Sequence, residues 1–265
     1  MKIAVTADLH WGLRADGDRS TRKIAREILA SGADVLALAG DTAAGLSEKL
    51  FLEALNLFNG FKGPRLLVAG NHDLWRRDGD SFEFLTNGLA EICRKTGFHY
   101  LEEAPFVLGK VGFVGSVGWY DYSYRDKSLR IKEVCYREKI LPGAVEWNDR
   151  NYIRWDLDDV IFTNYTLKKL ECHLKEIDGQ VEKIVAVTHH VPFLELLEIR
   201  DDTSWAFTTA FMGSRKLGEL FLRHKKVKYS FSGHSHIPKQ AKVGRIKAIN
   251  VGSDYNEKRV VIMDI

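Results

Sequence analysis

The chain has 265 residues, 45% hydrophobic and 28% charged, the balance of a folded globular protein long enough to bury a sizeable core. Its formal net charge of +3 is too small to argue for nucleic acid or an anionic membrane as a partner, and no apolar run of about 18 residues is present to span a bilayer. Cys93, Cys135 and Cys172 are an odd, scattered set that argues against a disulfide framework. Together with an opening run that lacks the pattern of a signal peptide, they lead us to expect a cytoplasmic protein.

Lys2 to Thr6 reads as the first strand. Ser20 or Thr21 is expected to cap a helix reaching Ala30, with Ile24, Ile28 and Leu29 along one face. Val35 to Ala39 follows as a second strand. Ser47 is expected to cap the next helix, and Gly60 with Gly63-Pro64 breaks it before a third strand, Arg65 to Ala69. A further helix is predicted over Ser81 to Lys95, closed by Thr96-Gly97. This alternation predicts a sheet flanked by helices, an α/β fold.

Past Gly97 the pattern changes. Phe98 to Tyr100, Pro105 to Leu108 and Val111 to Val117 read as short strands of an antiparallel region. Residues 118–155 lose the strand signal and carry Trp119, Tyr120, Tyr122, Tyr124, Tyr136, Trp147, Tyr152 and Trp155 among arginines and lysines. That segment is expected to be an insertion. It either covers a functional site and shapes substrate choice, or packs upon itself. A helix is predicted from Asp156 to Ile177, strands from Lys183 to Val187 and Val227 to Phe231, and three antiparallel strands in the tail. No linker or repeat divides the chain, so one domain over 1–265 is expected.

Five of the apolar runs end in residues that bind metals or move protons. They lead into Asp8-Leu9-His10, Gly40-Asp41, Gly70-Asn71-His72-Asp73, His189-His190 and Gly233-His234-Ser235-His236. Any one alone would be an ordinary turn. Parallel strands, however, place ligands beyond their carboxyl ends, so five such endings point to one shared site. Asp8, His10, Asp41, Asn71, His189, His234 and His236 are the candidate metal ligands. They outnumber what one tetrahedral zinc site uses, and the imidazoles argue against magnesium or calcium. Two divalent transition-metal ions (manganese, iron, zinc, cobalt or nickel, with manganese favoured) fit this mixed set. Asp41 is the natural bridge, since a carboxylate has two oxygens. Such a pair of ions activates water and clamps both oxygens of an in-line displacement.

These five motifs, in this order, resemble those of the calcineurin-like metallophosphoesterase superfamily from residue 8 to residue 236. The resemblance implies a four-layer α-β-β-α sandwich of two mixed sheets. It implies hydrolysis of a small phosphate ester, mono or di, by a hydroxide bridging two metals. Asp8, His10, Asp41 and His236 would hold one ion, and Asp41, Asn71, His189 and His234 the other. His72 would act as a catalytic residue beside the phosphate, oriented by Asp73. His190 matches no ligand position. Asp73 and Thr42-Ala43-Ala44 depart from the protein-phosphatase pattern, and Ala44 stands where purple acid phosphatases carry a tyrosine. A nuclease or a cyclic-nucleotide phosphodiesterase of the same superfamily is an alternative, the nuclease disfavoured by the weak charge. A non-catalytic scaffold for protein binding is a further one. Oligomeric state is not legible.

Overall fold

The computed structural model describes residues 1–265. Two mixed sheets lie face to face. The first has the order β13-β1-β2-β3-β4, built from β1 (Lys2–Thr6), β2 (Val35–Ala39), β3 (Arg65–Val68), β4 (His99–Tyr100) and β13 (Val260–Asp264). The second has the order β11-β12-β10-β9-β6-β5. Its members are β5 (Phe106–Leu108), β6 (Val111–Ser116), β9 (Lys183–Thr188), β10 (Val227–Ser232), β11 (Lys239–Val243) and β12 (Ile246–Asn250). Within each sheet the inner strands run parallel; the edge strands β13, β11 and β5 are antiparallel to their neighbours, and the edge strand β4 is parallel to β3.

Alternation along the strands explains the layers. In β1, Ile3 and Val5 point between the sheets, where they meet Val35, Val68, Phe113, Val185, Val187 and Phe231. Ala4 points outward with Leu36, Leu38 and Leu67, under Ile24 and Ile28 of α1 (Ala15–Ala30) and Leu55 of α2 (Glu48–Asn56). The outer face of the second sheet takes Leu170, Leu174 and Ile177 of α7 (Asp159–Asp178) and Leu217 and Phe221 of α9 (Arg215–Arg223). The result is the expected α-β-β-α sandwich.

Local chemistry sets most boundaries. Ser47 caps α2 by accepting from the Leu50 amide at 3.3 Å. The helical stretch after Asp80 runs through Ser81–Glu83 and a wide π turn at Phe84–Gly88 into Leu89–Thr96, and Gly97 ends it at φ +73°. α1 begins earlier than expected, after Arg14 rather than at Ser20 or Thr21. Thr21 instead turns its hydroxyl onto the Gly17 carbonyl inside the helix.

Strand pairing departs further from expectation. β4 joins the first sheet in parallel beside β3, whereas β5 and β6 form an antiparallel pair in the second. The tail is not one antiparallel unit either. β11 and β12 form a hairpin, β12 then pairs parallel with β10, and β13 crosses to the other sheet to pair with β1. Periodicity shows that a segment is a strand but not which edge it joins. The crossover draws the loop from Gly252 to Arg259 past the carboxyl ends of the strands.

Several aromatic side chains of residues 118–155 are core, while the stretches between them are largely exposed. Trp119, Tyr120, Tyr122 and Tyr136 are buried in one cluster with Phe207 and Phe211. A short hairpin, β7 (Ile140–Leu141) with β8 (Val145–Glu146), leads to α6 (Asp149–Tyr152).

Candidate metal centre

The five strand ends do converge. Asp8, His10, Asp41 and His236 present donor atoms that all lie within 4.8 Å of one another, and so do Asp41, His189 and His234. Asp41 belongs to both groups. Its Oδ2 stands 3.6 Å from His10 Nε2 and 3.4 Å from His189 Nε2. His236 Nε2 is 3.8 Å from Asp8 Oδ1 and 3.4 Å from His10 Nε2. Asn71 Oδ1 joins the second group at 3.1 Å from His189 Nε2. Most of these gaps are long for hydrogen bonds, as suits donors arranged around a shared ion.

In the second ligand group the imidazole orientation is fixed from behind, whereas Nδ1 of His10 and of His236 has no protein partner. His189 Nδ1 is occupied by the Ala39 carbonyl at 3.0 Å, which leaves Nε2 for the site. His234 Nε2 meets the Phe211 carbonyl at 3.2 Å, which leaves Nδ1. A backbone partner of this kind selects the tautomer that can bind a metal.

Two features of the folded chain fit a cation. Asp8 Oδ2 and Asp41 Oδ2 are buried and receive no hydrogen bond from the protein. A buried carboxylate oxygen without a donor is costly, and a metal ion is the chemistry that satisfies it. The backbone is also strained where these side chains arise. Asp8, His10, Asp41, His234 and His236 all sit at positive φ, between 43° and 71°. A left-handed non-glycine residue costs about 1–3 kcal/mol, and such residues gather at functional sites. Gly70 has a different use. A Cβ there would collide with the Asp41 carboxylate, so only glycine lets β3 pass so close to it.

Charge follows geometry. Burial alone would raise the Asp41 pKa, but the imidazoles of His189 and His72 carry it well below the usual range. Asp73 moves the other way, pushed up to about 7 by burial and then by Asp41. Asp73 was expected to orient His72, but no hydrogen bond joins the two side chains here. Asp73 accepts from the Gly70 amide at 2.9 Å and the Ala43 amide at 3.1 Å, and so ties two ligand loops together. The His72 ring instead stacks on Trp75 with centroids 3.6 Å apart, and its Nδ1 has no protein partner. Burial lowers the His72 pKa rather than raising it. His190 stays outside both ligand groups, bonded to the Val117 carbonyl at 2.8 Å and packed behind His234.

A cavity of about 390 Å³ opens from Asp41, Asn71, His72, His234 and His236. Its walls include Trp75, Trp147, Trp205, Leu197, Met212 and Tyr255. Apart from the candidate site residues, its charged lining groups are Glu146 and Glu198; no lysine or arginine faces it. Of the aromatic insertion, only the tip from Val145 to Asn148 reaches this cavity. Tyr122 bonds Asp159, and Tyr124 bonds the carbonyls of Val191 and Ser214 at 3.2 and 3.4 Å, so both are structural.

Three participants escaped the sequence. Lys258 is buried and donates to the Asp8 carbonyl at 2.8 Å, behind the first ligand group. The Tyr255 ring lies tilted against His10 and His236 with centroids 5.0 and 4.6 Å away. Asp149 bonds Asn71. Lys258 and Tyr255 arrive through the β12 to β13 crossover, which no local pattern announces. Asp149 had a faint signal, a carboxylate two residues after a tryptophan in an aromatic run.

Comparison with known proteins agrees with this geometry. Residues 1–238 match the family model for calcineurin-like phosphoesterases. No curated protein sequence matches the chain significantly. Among solved structures, a phosphopantetheinyl hydrolase from Mycobacterium tuberculosis superposes with a TM-score of 0.73 at 17% identity, covering 99% of this chain and 96% of that one. A dimetal phosphatase from Danio rerio gives a TM-score of 0.59 at 12% identity, covering 96% and 87%. The inner membrane complex anchor of Plasmodium gives 0.52 at 11% identity, covering 95% and 71%. At such identities these likenesses establish the shared fold and nothing finer.

Proposed function

The chain belongs to the calcineurin-like phosphoesterase family, hydrolases acting on phosphoester bonds, and from that premise we propose a dinuclear enzyme for small phosphate esters with an uncharged, largely apolar organic group. The observation that carries the reading is the pair of donor groups sharing Asp41, whose Oδ2 is buried without a protein donor. Asp8, His10, Asp41 and His236 would hold one ion, and Asp41, Asn71, His189 and His234 the other. When bound, two such ions supply an activated water near neutral pH and stabilise charge on the phosphoryl oxygens. Mixed imidazole and oxygen ligation favours a transition metal, and manganese, which accepts carboxylate and carbonyl oxygens, is the ion to load first.

The chain's own groups do the rest. Asp41 is held anionic among imidazoles, as a bridging ligand must be. The His72 ring lines the cavity, wedged between Trp75 and the His10 ring, whose centroid is 4.5 Å away. From there it is placed to contact the phosphoryl group and pass a proton to the departing oxygen. Burial lowers its pKa, so the negative charge of a bound phosphate is what would favour the protonated ring. The cavity has the size of a small-molecule site. Aromatic and aliphatic walls with only acidic charges suit a neutral organic group and oppose a polyanionic strand.

Metal-loaded protein tests this directly on a panel of phosphomonoesters, phosphodiesters, cyclic nucleotides and single-stranded DNA. A phosphopantetheinyl ester belongs on the panel, because the fold neighbour of that name spans nearly the whole chain. Turnover of small esters with apolar groups and neglect of DNA is the expected result. Preference for DNA, or no turnover with both ions bound, would defeat the proposal.

A further inference from the structure

Asp149 opens α6 inside the aromatic segment and is buried. Its carboxylate meets four donors. Oδ1 accepts from Asn71 Nδ2 at 2.8 Å and Trp75 Nε1 at 2.7 Å. Oδ2 accepts from the Tyr120 hydroxyl at 3.0 Å and Trp147 Nε1 at 2.8 Å. Those four bonds fill about the whole acceptor capacity of a carboxylate.

An asparagine amide has nearly the same shape either way round, and its partners decide which end faces where. Only one end suits a cation. The oxygen can be a ligand, whereas the NH2 group presents protons. Asp149 shows Asn71 nothing but acceptor oxygens, so Nδ2 turns to Asp149 and Oδ1 turns to His189.

We propose that Asp149 is a positioning residue. It selects the oxygen of Asn71 as ligand for the second ion, and it pins Trp75 and Trp147 as walls of the cavity. The inference rests on the dinuclear reading above. It assigns the aromatic segment a task that its structural tyrosines Tyr122 and Tyr124 do not perform: one carboxylate couples the metal ligand to the substrate wall. A purely structural aspartate would hold the indoles but leave the metal untouched.

Asp149→Asn tests the coupling, because it keeps the shape and replaces half of the acceptors with a donor. Asn71 is then free to turn over. Titration of wild-type protein with Mn2+ or Co2+ is expected to show two ions per chain. In the variant the second ion should bind about 10–100-fold more weakly, the usual cost of losing a partner behind a ligand. The Co2+ absorption spectrum should change with it, KM should rise and kcat fall. The paired exchange Asn71→Asp with Asp149→Asn restores an acceptor toward the ion and a donor behind it. It should recover the second ion at least in part. Equal affinity for both ions and an unchanged Co2+ spectrum in Asp149→Asn would overturn the proposal while leaving the dinuclear reading intact. A wild-type protein that binds fewer than two ions would overturn both. Should Asp149→Asn not fold, proton exchange in the wild-type protein decides. The Asn71 side-chain amide should stay protected after chelation, held by Asp149 alone. Rapid exchange there would count against the clamp.

Discussion

The strand-end loops and the 118–155 segment meet at the metal site but are held together by opposite means. The loops bring carboxylates and imidazoles together on a left-handed backbone, and leave buried carboxylate oxygens without donors. In the segment, buried polar groups are matched. Trp119 Nε1 donates to Asp159 at 2.8 Å, and Asp149 collects its donors from Tyr120 and Trp147. Such a contrast teaches where an ion is needed. A cation among them would complete the loops, whereas the segment is complete as folded and can serve as a fixed wall.

Stripping the metals is the strongest way to break this contrast. Chelation should abolish hydrolysis and raise amide exchange in the ligand loops, while the core of 118–155 stays protected. If the ions are normally present at 100 times their dissociation constant, their loss removes about 2.7 kcal/mol of stability. Equal loosening of both regions would show that the segment depends on the ions too.

A smaller effect separates chemistry from binding. His72→Ala should slow alkyl phosphate esters by about 10²–10⁴-fold, and p-nitrophenyl esters much less, since nitrophenolate needs no proton to depart. Both ions should remain. An equal loss on both substrates would reduce His72 to a phosphate contact, and loss of an ion would make it a ligand.

Within the segment, core and tip should separate. Trp119 is fully enclosed, so Trp119→Ala should lower stability by about 3–5 kcal/mol with both ions still bound. Trp147→Ala, at the cavity wall, should instead change relative rates across the ester panel. Smallest of all, Tyr124→Phe should cost about 1 kcal/mol and leave relative rates as they were. A substrate shift in Tyr124→Phe would mean that the segment shapes substrate choice beyond its tip.

How far the sequence carried depends on the physics of each feature. The ligand loops were legible because an apolar run followed by Asp, Asn or His is a local pattern, repeated at β1, β2, β3, β9 and β10. Layers followed from alternation in strands such as Ile3-Ala4-Val5. Pairing partners did not, because β13 reads alike whether it joins β12 or β1. Adjacency in sequence suggested contact between Asp73 and His72, while the turn sends the carboxylate to backbone amides and the His72 ring to Trp75. Asp149 and Lys258 reach the site only through long-range packing, 78 residues from Asn71 and 250 from Asp8. No window along the chain contains both partners.

The central claim is that one carboxylate joins two ions. Anomalous diffraction from crystals of manganese-loaded protein tests it most directly. The account predicts two peaks about 3.5–4 Å apart, the usual spacing of such pairs. Asp41 should lie between them, and both should be lost in Asp41→Ala. A single peak, or two peaks that persist in Asp41→Ala, would contradict it.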